Sequence, residues 1–116
     1  MQELKDLELR ALPMFTGTTV YYRVWLNFLV TEGVKYVMEN GYSWFITDAL
    51  SVIHTKGWRD RDFLTVKLKL KGMGAVMVIE DGDGKTLYTQ KYSITDAKRE
   101  LTLFYSYNVL MLSSEY

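Results

Sequence analysis

The residues best suited to hold a ligand fall in two short stretches. In "FTGTTVYYRVW", residues 15–25, Thr16 and Thr18 flank a glycine, and Tyr22 and Arg23 follow. A Thr-Gly-Thr turn can aim backbone N–H groups at an anion, and a guanidinium can clamp that anion with paired hydrogen bonds. In "YSWFITDAL", Trp44 and Asp48 stand four residues apart. On a helix that spacing places an aromatic ring and a carboxylate on one face. Thr16, Thr18, Tyr22, Arg23, Trp44 and Asp48 are therefore the candidate binding residues. The competing reading makes the aromatics core and the threonine hydroxyls partners of nearby backbone. That reading is favoured for both stretches, because aromatics are so often simply core.

Catalytic and metal chemistry find little support. His54 is the one histidine and there is no cysteine, so thiol nucleophiles, disulfides and Cys zinc sites are excluded. Asp48 lies too far along a helix from His54 to orient it as a base, and His54 reads as a surface residue of a helix. "DGDGK" begins like a calcium loop, but Lys85, Thr86 and Tyr92 stand where a third oxygen ligand, a glycine and a glutamate are needed. "GMGAV" and "GDG" lack the Lys-Ser/Thr and the following helix of a phosphate loop. We expect no catalytic residue, no metal ligand and no cofactor, and a binding protein rather than an enzyme.

Charge narrows the partners. The 116 residues carry 14 basic and 14 acidic side chains, so no basic footprint for nucleic acid appears. Lys67, Lys69 and Lys71 form a basic comb, but no aromatic platform is interleaved with them. Lysines of this kind also guard strand edges, so direct nucleic-acid binding is disfavoured. Zero net charge and nine tyrosines permit a homodimer. The opening "MQELKDLELRALPMF" is too charged for a signal peptide, and no apolar run could span a bilayer, so a cytoplasmic protein without membrane contact is expected.

The positioning elements follow from local signals. "LKDLELRALP" suits a short helix or arm ending before Pro13. Thr18 to Val24 are mostly β-branched or aromatic and read as a strand, although "YYRVWLNFLV" also suits a buried helix. "TEGVKYVMENGY" predicts a helix capped by Thr31 and stopped at Asn40-Gly41. "SWFITDALSVIHTKG" predicts a second, capped by Ser43, with Phe45, Ile46, Ala49, Leu50 and Ile53 on its apolar stripe. The period then changes. "LTVKLKLKG" alternates as a strand with one wet face. "AVMVIE" reads as a central strand, apolar on both sides, and "DGDG" predicts a hairpin into "KTLYTQKYSI". "ELTLFYSYNVLMLSSEY" adds a last strand or two, broken at Asn108. The expected fold is a single α+β domain over 1–116, with N-terminal helices packed on a C-terminal antiparallel β-meander of about four to five strands.

The succession "FTGT…YYR.W", "TEGVKYVMENGYSWFITDAL", "F..VKLKL", "EDGDGKTLYTQKY" and "SSEY" resembles a family of small bacterial and cyanobacterial proteins, also met on phages and plasmids, of unknown function. The resemblance covers nearly the whole chain and implies a mobile-element setting. It carries over no catalytic residue. Together with the missing chemistry it points to an interaction protein that binds a host protein or ribonucleoprotein, such as an inhibitor of a defence system of the anti-CRISPR kind. The alternative is a small-ligand binder or cryptic enzyme with a pocket between helices and sheet.

Overall fold

The computed structural model describes residues 20–93, 95 and 97–115. The arm expected before Pro13 and the turn carrying Thr16 and Thr18 lie outside them. The chain begins as a small hairpin, β1 (Tyr21–Arg23) and β2 (Leu29–Thr31). It continues into α1 (Glu32–Val37), a widened helical turn (Met38–Tyr42) and α2 (Ser43–Thr55). The rest is strand: β3 (Leu64–Lys71), β4 (Gly74–Asp81), β5 (Thr86–Tyr92), β6 (Leu101–Ser106) and β7 (Val109–Leu112), closed by a 3₁₀ turn at Ser113–Glu115.

The strands form one seven-stranded sheet in the order β1-β2-β7-β6-β3-β4-β5. Every pairing is antiparallel except β2 with β7, which is parallel. This corrects the expected fold. The chain is mostly β, with a mixed sheet of seven strands and a single helical segment over 32–55 in its middle, not helices followed by a four-to-five-strand meander. The reason is physical. β1 and β2 are three residues each, too short to display alternation, and β2 finds its partner at the far end of the chain. The helical signals are locally correct but join into one segment. Thr31 caps it, its Oγ1 accepting from the Val34 N–H at 3.3 Å. At the expected stop Gly41 takes a φ of 104°, and the run kinks there and goes on. Ser43 lies inside the run rather than capping a new helix.

Alternation sets the two faces of the sheet. Leu64, Val66 and Leu68 of β3 are opposite Tyr105, Leu103 and Leu101 of β6, and Ile79 and Met77 of β4 face Val66 and Leu68. All of them are buried, and the stripe Phe45, Ile46, Ala49, Leu50 and Ile53 of α2 belongs to the same core. Side chains of this size each contribute roughly 1.5–3 kcal/mol on full burial. The other face is more open. Lys67 lies there and pairs with Glu80 at 3.1 Å. β3 is an inner strand, so its lysines line a face and do not guard an edge. β4 alternates as well, with Val76 and Val78 only half-buried, and is not apolar-packed on both sides. Among the described residues no helix is long and apolar enough to cross a membrane.

The far end of the chain locks onto the start of the helix. Glu115 is buried, and its Oε1 accepts from the Thr31 hydroxyl and from the Leu112 N–H at 2.9 Å. Its Oε2 accepts from the Gly33 N–H at 3.1 Å. A carboxylate at the first helical turn also meets the positive end of the helix dipole. Gly33 makes room for it, since a Cβ there would come within 2.8 Å of Glu115 Oε1 and 2.5 Å of Leu112 Cδ1. The "TEGV" segment and Glu115 of the closing turn are thus two halves of one joint.

Candidate functional site

The sheet order separates the candidate residues. Tyr22 and Arg23 lie on β1, at one end of the order, while Trp44 and Asp48 lie on α2 and contact β5, at the other. Thr16 and Thr18 lie outside the described residues. The six therefore do not form one site. Tyr22 and Arg23 are exposed, and the Tyr22 ring lies 5.5 Å from the Lys35 ammonium. Among the described residues Arg23 makes no side-chain hydrogen bond or ion pair.

The Trp44–Asp48 pair does gather partners. Trp44 meets Tyr92 edge-on at 5.0 Å between ring centroids and stacks on Tyr42 at 6.4 Å. The Tyr92 hydroxyl donates to Asp48 Oδ2 at 2.8 Å, and the Gln90 amide approaches the same oxygen at 3.5 Å. Tyr88 donates to Gln90 Oε1 at 3.0 Å. Burial and then the hydrogen bond to Asp48 push the Tyr92 phenol far above its usual range, so it stays a neutral donor to an anionic partner. A groove of about 270 Å³ opens between α2 and β5 beside this cluster.

A third arrangement was not visible in the sequence. Three loops meet at one end of the sheet: the β1–β2 loop, the α2–β3 connection and the β6–β7 turn. Four consecutive-pair residues there, Leu26 and Asn27 in the first and Tyr107 and Asn108 in the last, have positive φ of 55°, 65°, 40° and 76°. Bulky residues take this left-handed region only at a cost, roughly 1–2 kcal/mol each. Tyr107-Asn108 forms the two-residue link between Ser106 and Val109, where positive φ at both positions matches the sheet twist.

Hydrogen bonds hold the two left-handed turns in place. Asn108 Nδ2 donates to the Asn27 carbonyl at 3.0 Å, and the Leu29 N–H donates to the Asn108 carbonyl at 2.9 Å. Arg59 Nε donates to Asn108 Oδ1 at 2.7 Å, and a second guanidinium nitrogen donates to the Leu26 carbonyl. The Arg59 guanidinium lies 3.9 Å from the centroid of the buried Phe28 ring. The Tyr105 hydroxyl donates to the Arg59 carbonyl at 2.6 Å, and the Tyr107 N–H to the Arg61 carbonyl at 2.9 Å. Arg59, in the charged "WRDRD" connection between α2 and β3, is the clamp of this end.

What the clamp presents is aromatic. Trp25 is 48 % exposed, Leu26 40 % and Tyr107 64 %. Along the adjoining β1, Tyr21 is 50 % exposed. His54 is exposed, as expected, and its ring meets Trp25 edge-on at 6.3 Å.

A seven-stranded mixed sheet with one kinked helical segment, and with left-handed turns that display aromatics, makes a small, mostly β domain. The chain matches the family of unknown function DUF6876 over residues 6–116, and it belongs to that family. No curated protein and no solved structure matches it.

Proposed function

We propose that this chain is a non-enzymatic interaction protein that engages a macromolecular partner through the aromatic loop end of its sheet. One observation carries the reading: the same two turns combine backbone strain with exposed apolar side chains. Leu26 and Tyr107 hold left-handed conformations that Asn or Gly would adopt more cheaply, and both face solvent. Such strain persists where the surroundings over-determine it, and it clusters at working surfaces. Trp and Tyr held rigidly on a clamped backbone are the side chains that anchor interfaces, since they supply large contact area and lose little conformational freedom.

A host protein or ribonucleoprotein is the partner this reading prefers, and blockade of a defence system by a mobile-element protein is its finer form. Both rest on the resemblance and on the scarcity of catalytic groups. Self-association through the same aromatics is the other occupant. The test is covalent capture in cells, comparing the wild-type chain with the double variant Trp25→Ser, Tyr107→Asn. One partner should be captured at micromolar concentration by the wild type and lost by the variant, whose fold is checked by circular dichroism. Equal capture by both chains would overturn the assignment of this surface. Sedimentation of both chains separates a foreign partner from a second copy.

A further inference from the structure

The groove between α2 and β5, at the opposite edge of the sheet, carries an inference independent of the aromatic loops. A helix resting on an edge strand ordinarily closes that contact with apolar side chains. Here the stripe of α2 that faces β5 carries Asp48, Ser51 and Thr55 beside the apolar Val52, with Lys56 following, and β5 contributes Tyr88 and Gln90. The result is an open trough of about 270 Å³ in which polar groups stand beside Val52 and the Tyr88 ring.

Two charged side chains line it, Asp48 and Lys56. Asp48 Oδ2 is engaged by Tyr92 and Gln90, while Oδ1 accepts from none of the described residues. The Lys56 ammonium lies 5.7 Å from the Tyr88 ring centroid and forms no ion pair among the described residues. Asp48 and Lys56 stand eight positions apart, a backbone rise of about 12 Å along the helix axis. Between them stand the Ser51 and Thr55 hydroxyls and the Gln90 amide, groups that donate to and accept from peptide units.

We propose that this trough binds a short zwitterionic peptide in extended form. Its terminal ammonium would meet Asp48 Oδ1, its terminal carboxylate Lys56, and its peptide groups the hydroxyls and the amide between. The length follows from the backbone rise between Asp48 and Lys56. An extended chain advances 3.3–3.6 Å per residue, so about three residues cover that rise. The modest volume restricts the peptide to small side chains.

The probe is Ala-Ala-Ala, titrated into the ¹⁵N-labelled full chain. Saturable shifts are expected for the amides of Ser51, Thr55, Lys56, Tyr88 and Gln90. Acetylating the amino terminus, or amidating the carboxyl terminus, should each weaken binding about tenfold, the worth of one charge-assisted hydrogen bond. Asp48→Asn should erase the preference for the free amine, and Lys56→Met the preference for the free carboxylate. Lys56 is exposed, so its variant tests the proposal even where Asp48→Asn perturbs the fold. Three results would sink the idea: no saturable shift at millimolar peptide, equal binding of the blocked peptides, or binding of putrescine or acetate as tight as that of the tripeptide.

Discussion

Single residues in this protein are placed against their own preferences, and the exceptions are informative. Tyr107 occupies a left-handed turn position and is 64 % exposed, so it collects strain without the compensation of burial. Replacing it with Asn, which tolerates that region through local hydrogen bonding, should leave stability unchanged or raise it by up to about 1 kcal/mol. Urea denaturation measures this. The same variant should lose the partner, and a gain in stability paired with a loss of binding would separate function from folding. A Tyr107→Asn chain that is clearly destabilised would instead show the ring to be structural. Tyr92 is exceptional in the other direction. Burial and then Asp48 raise its phenol pKa above the ordinary value of 10.0. A group that is harder to ionise in the fold than out of it contributes its stabilisation fully below that value, and the contribution drains away as pH rises past it. Tyr92→Phe should therefore remove one late-ionising phenol from an absorbance titration and flatten the fall of stability above pH 10. An unchanged titration curve would place the late phenol elsewhere.

At the scale of elements, capping links parts of the chain that are remote in sequence. The first turn of α1 is satisfied twice, by the Thr31 hydroxyl and by the Glu115 carboxylate. Thr31 announces itself, because a hydroxyl ahead of a helix is a local signal. Glu115 does not, because nothing within a window of sequence says that a carboxylate 84 residues away completes the cap. Removing it leaves buried donors unanswered, a cost of about 1–3 kcal/mol for each orphaned group. Glu115→Ala should therefore destabilise the chain by about 2–4 kcal/mol in urea denaturation. Glu115→Gln, which keeps acceptor geometry, should recover part of that. Hydrogen exchange would find the Gly33 and Val34 amides among the first to lose protection. Equal stability of Glu115→Ala and wild type would mean that water replaces the carboxylate at no cost.

For the molecule as a whole, legibility in the sequence follows the range of the interaction. The apolar stripe of α2, the alternation of β3 and the Asp-Gly hairpin between β4 and β5 depend on neighbours a few residues away, and each is readable. The parallel pairing of β2 with β7 depends on contacts across most of the chain, and three- and four-residue strands carry too little pattern to reveal it. The candidate residues divide the same way. Trp44 and Asp48 are readable at helical spacing, while Tyr92, Lys56 and the Arg59–Asn108 clamp become neighbours only through the sheet. The overall charge argues for the kind of partnership proposed. With 14 acidic and 14 basic side chains the molecule has no net field with which to steer a partner, and the loop end displays Trp25, Leu26 and Tyr107 as its largest exposed apolar groups. Association through such a surface proceeds at an unsteered rate, roughly 10⁵–10⁶ M⁻¹s⁻¹, and owes its lifetime to buried aromatic contacts. Raising the salt from about 0.05 to 0.5 M, which shortens the screening length from above 10 Å to below 5 Å, should then change the association rate less than threefold. Binding to a nucleic-acid backbone would weaken by orders of magnitude over that range, because each neutralised phosphate adds to the salt slope. Surface-plasmon measurements on the captured partner distinguish the two. A steep salt slope would transfer the interaction from the aromatic turns to the lysine-lined face of the sheet.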